Sequence, residues 1–148
     1  MTRPSGLPRV GPLPRPKNPA EARELLKSEA FPAPRVQEVT LTGVEFTSIC
    51  PRTGQPDFGS VIITYAPGER CLESKALKYY LWSFRDEGAF CESLAERIAE
   101  DVIYAIEPQR VRVQVNQNVR GGIAIIAVAE REGRGKRQEE RGTRKGRN

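Results

Sequence analysis

The chain has 148 residues and a formal net charge of +5, divided as seven Lys/Arg against three Asp/Glu in residues 1–35, nine against twelve in 36–129, and eight against four in 130–148. The basicity therefore belongs to two arms, a Pro-rich N-terminal one holding eight of the twelve prolines and a charged C-terminal one, while the segment able to build a core, 36–129, is slightly acidic. The absence of histidine excludes Ser-His-Asp and Cys-His catalysis, His-ligated zinc and histidine-bound haem, leaving Cys, Asp, Glu, Lys and Tyr for any acid–base work.

Cys50, Cys71 and Cys91 form no C-x-x-C pair, so neither a structural metal knot nor a redox dithiol is signalled. No apolar run reaches the roughly 18 residues of a membrane span, and the N-terminus lacks a secretory apolar region, so the chain is expected in the cytoplasm with reduced thiols. A single domain of this size buries only about 60–65% of its surface, which makes association of copies a reasonable expectation.

The chain order begins with an extended, poorly packed arm over 1–35. Residues 36–46 are rich in β-branched types and read as a strand, with Gly43 marking a bulge. Residues 47–59, with two prolines and two glycines, read as a loop of unusual length that carries Cys50 and Asp57. A second strand follows over 60–65, closed by Ala66-Pro67-Gly68. From Ser74 the period turns helical, with Leu77, Tyr80, Leu81 and Phe84 on one face and a stop at Gly88. A second helix spans 90–106, ending before Pro108. Residues 110–119 alternate at Val111, Val113 and Val115 as a half-buried strand, Arg120-Gly121-Gly122 breaks the run, and 123–129 form the last strand. The order ββααββ predicts an α+β fold, an antiparallel sheet with two helices on one face, followed by a charged tail over 130–148.

Several residues stand out chemically, each with an ordinary reading beside the functional one. Cys50 is either a small buried hydrophobe at a strand end or a thiol facing a ligand; without histidine, its activation needs a carboxylate, a nearby cation or a helix N-terminus. Asp57 is a turn former by itself and, with Cys50, a plausible proton donor for addition of sulfur to an electrophile. Glu73 and Ser74 open a helix as an acid and its cap, and Lys75 and Lys78 share one helix face, as solvated lysines or as phosphate contacts. Glu92 belongs to a solvent-facing stripe with Glu96 and Glu100, or else accepts two hydrogen bonds from the N–H edge of a ring.

Residues 73–85, ESKALKYYLWSFR, with 49–59, ICPRTGQPDFG, upstream and Arg120-Gly121-Gly122-Ile123 downstream, resemble the NADPH-dependent 7-cyano-7-deazaguanine reductases. That family reduces a nitrile to a primary amine in the queuosine tRNA-modification pathway. The resemblance covers about residues 36–129 and implies a tunnelling fold assembled into a homo-oligomeric ring, a decamer of two stacked pentamers, with sites between subunits. It further implies Cys50 as the nucleophile of a covalent thioimide and Asp57 as proton donor. Leu72, Glu73, Ser74, Cys91 and Glu92 would line the deazaguanine pocket, and Lys75, Lys78 and Arg120 would contact the phosphates of NADPH. No metal, membrane or obligatory nucleic acid is implied. The chain departs from the family at Cys91, where a histidine commonly precedes the substrate-binding glutamate. Two other readings are an amidinotransferase acting on the same nitrile in tRNA without NADPH, and a non-catalytic RNA-binding protein using the basic arms.

Overall fold

The computed structural model describes residues 15–133. Its centre is a four-stranded antiparallel sheet in the order β2-β3-β5-β6, made of β2 (Val39–Ile49), β3 (Pro56–Ala66), β5 (Arg110–Arg120) and β6 (Ile123–Glu132). Two short strands, β1 (Phe31–Pro32) and β4 (Arg70–Cys71), pair separately. The helices are α1 (Pro19–Ser28), α2 (Ser74–Trp82) and α3 (Cys91–Ile106). The ββααββ succession is thus present, with the first α-helix added in front of it.

The sheet's inner face follows from period-two alternation. Val61, Ile63 and Tyr65 on β3 and Val111, Val113 and Val115 on β5 are buried together, and the register sets Val61 opposite Val115 and Ile63 opposite Val113. The α3 helix lies across β5 and β6, α2 lies against β2, and α1 packs on both of these helices. The apolar stripe of α3, with Leu94, Ile98, Val102 and Ala105, closes the core. The bulge expected at Gly43 is present as a register shift between Gly43 and Phe46.

Three expectations are corrected. Residues 19–28, expected in an extended arm, form α1, whose Ala22 and Leu26 are fully buried. Asn18 caps this helix by accepting from the Glu21 N–H at 2.8 Å, and Pro19 occupies the first turn, so proline here starts a helix rather than preventing one. The loop expected over 47–59 shrinks to 50–55, because β2 continues to Ile49 and β3 begins at Pro56. Pro56 is tolerated as the first residue of its strand, and Gly59 is needed there, since a Cβ would lie 1.9 Å from the Asn116 carbonyl oxygen. Lastly, β6 extends to Glu132, past the expected tail boundary; the rest of that tail, and residues 1–14 of the arm, lie outside the described residues.

Candidate active site

The strand alternation that buries Val61 and Ile63 reaches back along β3 to Asp57, so its carboxylate points to the helix-covered side and is only 7% exposed. Ser48, also buried, sits opposite Asp57 across the β2–β3 ladder. A narrow crevice of about 10 Å3 lies between Ser48, Asp57 and Leu94, room for about one water. The inner side of Asp57 is therefore tightly packed.

Cys50 follows β2 directly. Its N–H donates to the Gln55 carbonyl at 2.9 Å and its own carbonyl accepts from the Gly54 N–H at 2.9 Å, so the loop 50–55 is closed at its base. Gly54 takes a left-handed conformation, φ +72°, which glycine adopts without strain. Within this loop the Thr53 side chain, then the backbone of Thr53 and Arg52, hydrogen-bond the Cys50 sulfur and hold its thiol below the usual value, against smaller opposing effects of burial and of the Asp57 charge. The activation sought in a carboxylate, a cation or a helix N-terminus comes instead from a neighbouring hydroxyl and turn backbone. Thr53, which the residue pattern did not single out, has the largest effect on this sulfur; a hydroxyl three positions after the cysteine was the available clue.

Arg120 reaches the same place from the neighbouring strand β5. At the end of β5, before the left-handed Gly121 and Gly122, its guanidinium donates to the Pro56 carbonyl at 3.2 Å, to the Asp57 carboxylate and to the Gln55 side-chain oxygen. Arg120 thus lies with Asp57 and Gln55.

The start of α3 borders this cluster. The Ile49 N–H donates to the Glu87 carbonyl at 2.9 Å and the Ala89 N–H to the Ile49 carbonyl at 3.1 Å, docking the segment before α3 on the end of β2. Cys91, 2% exposed, lies 3.5 Å from the Val115 carbonyl through its sulfur. Burial pushes its thiol up, and the Glu92 and Asp57 charges add to this. Cys91 is accordingly a neutral packing thiol at neutral pH, not a replacement acid–base group. Glu92 is exposed in the first turn of α3, favourably placed for the helix dipole. All three cysteines are free thiols.

The α2 residues occupy a second location. Buried Leu72 donates its N–H to the Tyr65 hydroxyl at 2.9 Å, which fixes the entry to the helix. Glu73, not Ser74, is the cap: its two carboxylate oxygens accept from the Lys75 and Ala76 N–H groups at 3.0 and 2.8 Å. Ser74, Lys75 and Lys78 are exposed. A groove of about 590 Å3 runs between α2 and β2, lined by Leu41, Val44, Ser74, Lys78, Trp82 and Arg85 among others, and Arg15 lies 4.2 Å over the Trp82 ring. Cationic ends beside an apolar wall and a flat indole suit a ligand with phosphates and flat rings. None of the hydrogen bonds or ion pairs described above ties Lys75 or Lys78 to Cys50 or Asp57.

With this geometry in view, the comparisons with known proteins are specific. The family profile for "QueF-like protein" matches residues 56–136. Over 111 residues the chain is 47% identical to the NADPH-dependent 7-cyano-7-deazaguanine reductase of Anaeromyxobacter sp. (strain Fw109-5), covering 73% of this chain and 88% of that one. The chain belongs to the QueF-like family. A second relative of the same name, from Syntrophus aciditrophicus (strain SB), is 48% identical over 113 residues, 74% of this chain and 81% of the relative. Among solved structures, the apo form of an archaeosine synthase QueF-Like shares the fold with a TM-score of 0.64 and 28% identity, over 68% of this chain and 98% of that one. The α+β fold expected from periodicity is that of this family.

Proposed function

We propose that this chain is an NADPH-dependent nitrile reductase that converts 7-cyano-7-deazaguanine to its 7-aminomethyl form, a step of queuosine tRNA modification. The observation that carries this reading is the meeting of an acidified, partly exposed thiol, Cys50, with a buried carboxyl, Asp57, in a chain 47–48% identical to relatives bearing that name.

The division of labour follows from the bonds that must form. The Cys50 thiol passes its proton to the Asp57 carboxylate as the sulfur adds to the nitrile carbon; one π bond of the nitrile breaks, its electron pair moves to nitrogen, and Asp57 hands the proton on to that nitrogen. The product is a thioimide, a C=N far easier to reduce than the nitrile. When bound, two molecules of NADPH in turn, their phosphates held by Lys75 and Lys78, would supply one hydride each; with one further proton taken up at nitrogen and one by the departing sulfur, the carbon reaches the amine level and the thiol is regained. Thr53 lowers the cost of removing the thiol proton, and the tight packing of the inner side of Asp57 limits the water that reaches it.

The ring of the substrate is assigned to Leu72, Glu73, Ser74, Cys91 and Glu92. Glu92, exposed and uninvolved in the core, suits the N–H edge of a guanine-like ring. Glu73 can cap α2 and still accept from a ligand, since each carboxylate oxygen has a second lone pair. Lys75 and Lys78 are assigned to the cofactor phosphates beside the α2–β2 groove; Arg120 could join them only by releasing Asp57. Having these groups in two places supports an assembly in which neighbouring copies complete each site, and the resemblance makes that assembly a ring of two stacked pentamers. The open edges of β2 and β6, with Val44 74% and Ile126 67% exposed, support such an assembly. Among the described residues no helix is long and apolar enough to cross a membrane, and a cytoplasmic location fits the reaction.

The likeness to an archaeosine synthase keeps one other reaction in view, addition of ammonia to the same nitrile. One experiment separates them. The protein is mixed with 7-cyano-7-deazaguanine without NADPH, and intact mass and near-ultraviolet absorbance are recorded for wild type and Cys50→Ala; NADPH is then added. A Cys50-dependent adduct that disappears as NADPH is oxidised is the expected result. An adduct without NADPH oxidation would favour the amidinotransferase, and no adduct would leave the RNA-binding reading.

A further inference from the structure

We propose that Arg120 is a positioning residue of the reaction centre, acting through Asp57 and through the loop that carries Cys50. The inference rests on the reductase reading and adds a role that the phosphate assignment of Arg120 does not contain.

Three acceptors on consecutive residues converge on this one guanidinium: the Gln55 side-chain oxygen, the Pro56 carbonyl and the Asp57 carboxylate. They span the joint at which the loop 50–55 becomes β3. The Gln55 carbonyl in turn accepts from the Cys50 N–H at 2.9 Å. Arg120 is thus two hydrogen bonds from the backbone of the nucleophile and one from the proton donor. The ion pair is also asymmetric, with the Asp57 side chain 7% exposed and that of Arg120 34% exposed. A buried carboxylate depends on its cation more than the half-exposed cation depends on it.

A rigid guanidinium fork fixes the directions of all three bonds; an ammonium, which also has three donors, sits on a flexible stem and keeps the charge but not the directions. Direction is what the addition needs, because sulfur must approach the carbon of a linear nitrile while the proton donor stands at its nitrogen. A carboxyl that swings away leaves the sulfur without a proton donor at the moment of attack. Contacting a cofactor phosphate would mean that Arg120 gives up all three acceptors and leaves a buried carboxylate without its cation.

The test compares Arg120→Gln and Arg120→Lys in wild-type and Asp57→Asn backgrounds. Adduct formation with 7-cyano-7-deazaguanine is timed without NADPH, and KM for NADPH is measured separately. Arg120→Gln should slow adduct formation about ten- to a hundredfold and leave KM for NADPH within about threefold, with Arg120→Lys between it and wild type. In the Asp57→Asn background the same change should slow the adduct at least about threefold less than in wild type, the difference being the part that acts through Asp57 and the remainder the part that acts through the loop. If Arg120→Gln does not fold, Arg120→Lys carries the comparison alone. Wild-type adduct rates with KM for NADPH raised about tenfold or more would overturn the proposal in favour of the phosphate contact. Equal slowing in both backgrounds would overturn the route through Asp57. Absence of an adduct in the wild type would overturn the reductase reading itself, and the role of Arg120 with it.

Discussion

Asp57 and Asp101 are the two buried carboxylates among the described residues, at 7% and 4% exposure, and each is paired with an arginine. Their surroundings differ completely. Asp101 on α3 accepts from the Tyr80 hydroxyl of α2 at 2.5 Å and from Arg23 of α1 at 3.5 Å, so one carboxylate joins all three helices. Burial pushes its carboxyl up, while Tyr80, Arg23 and Arg97 oppose this. Asp57 instead meets a strand-end arginine and lies close enough for its charge to act on both the Cys50 and Cys91 thiols, adding to the rise at Cys91 and only slightly opposing the lowering at Cys50. Burial and an arginine partner are therefore shared by a structural acid and a candidate catalytic one, and the neighbouring nucleophile is what separates them.

That contrast can be broken most directly at the sulfur. Cys50→Ala should abolish the adduct and lower NADPH-coupled turnover by about four orders of magnitude or more, measured by intact mass and nicotinamide absorbance. Asp57→Asn should lower turnover by about 10²–10⁴-fold while the melting temperature stays near that of the wild type. A large fall in melting temperature with little loss of turnover would make Asp57 a second Asp101.

The opposite pattern is expected in the helix layer. Asp101→Ala should cost about 2–4 kcal/mol in urea unfolding, because Tyr80 loses its acceptor in a buried place, and should leave adduct formation within about twofold of wild type. The pH dependence has a definite sign. A carboxyl raised in the folded state binds its proton there more readily than in the unfolded chain, so its contribution to stability is greatest in acid and declines as pH rises through the carboxylate range. Asp101→Asn should remove that component, seen as a flatter plot of unfolding midpoint against pH. The smallest effect is predicted at Thr53. Thr53→Val removes the hydroxyl that acidifies Cys50, so the pH profile of thiol alkylation should move upward and the rate at neutral pH should fall about two- to fivefold.

The sheet and both central helices were legible because their signals are periodic. Val111, Val113 and Val115 alternate, Leu77, Tyr80 and Leu81 repeat at helical spacing, and the structure buries all six. The α1 helix was hidden by composition, since the prolines and charges on either side of it resemble an arm, and its burial depends on distant partners: Arg23 meets Asp101 and Tyr104, and the Tyr104 hydroxyl donates to Glu24 at 2.5 Å. The start of β3 was masked by Pro56 and Gly59, two residues that usually break strands. Extending the alternation of Val61 and Ile63 back by two steps reaches Asp57, so its burial was encoded but interrupted. At the site, the Cys50–Asp57 pair was readable from the family's motifs, whereas the meeting of Arg120 with Asp57 joins residues 63 apart and depends on strand register, which no local pattern carries. The capping role of Glu73 was assigned one residue late for a similar reason, since Ser is the commoner cap and only geometry shows the carboxylate spanning two N–H groups.

The acidity of Cys50 is produced by its own short loop, from residues 52 and 53. The acidity of the thiol is therefore set before substrate, cofactor or a second subunit arrives, and a more acidic thiol is more open to peroxide as well as to a nitrile. An idle enzyme of this kind is more vulnerable than a working one: bound nitrile occupies the sulfur, and prolonged starvation for substrate leaves it open to sulfenic acid formation.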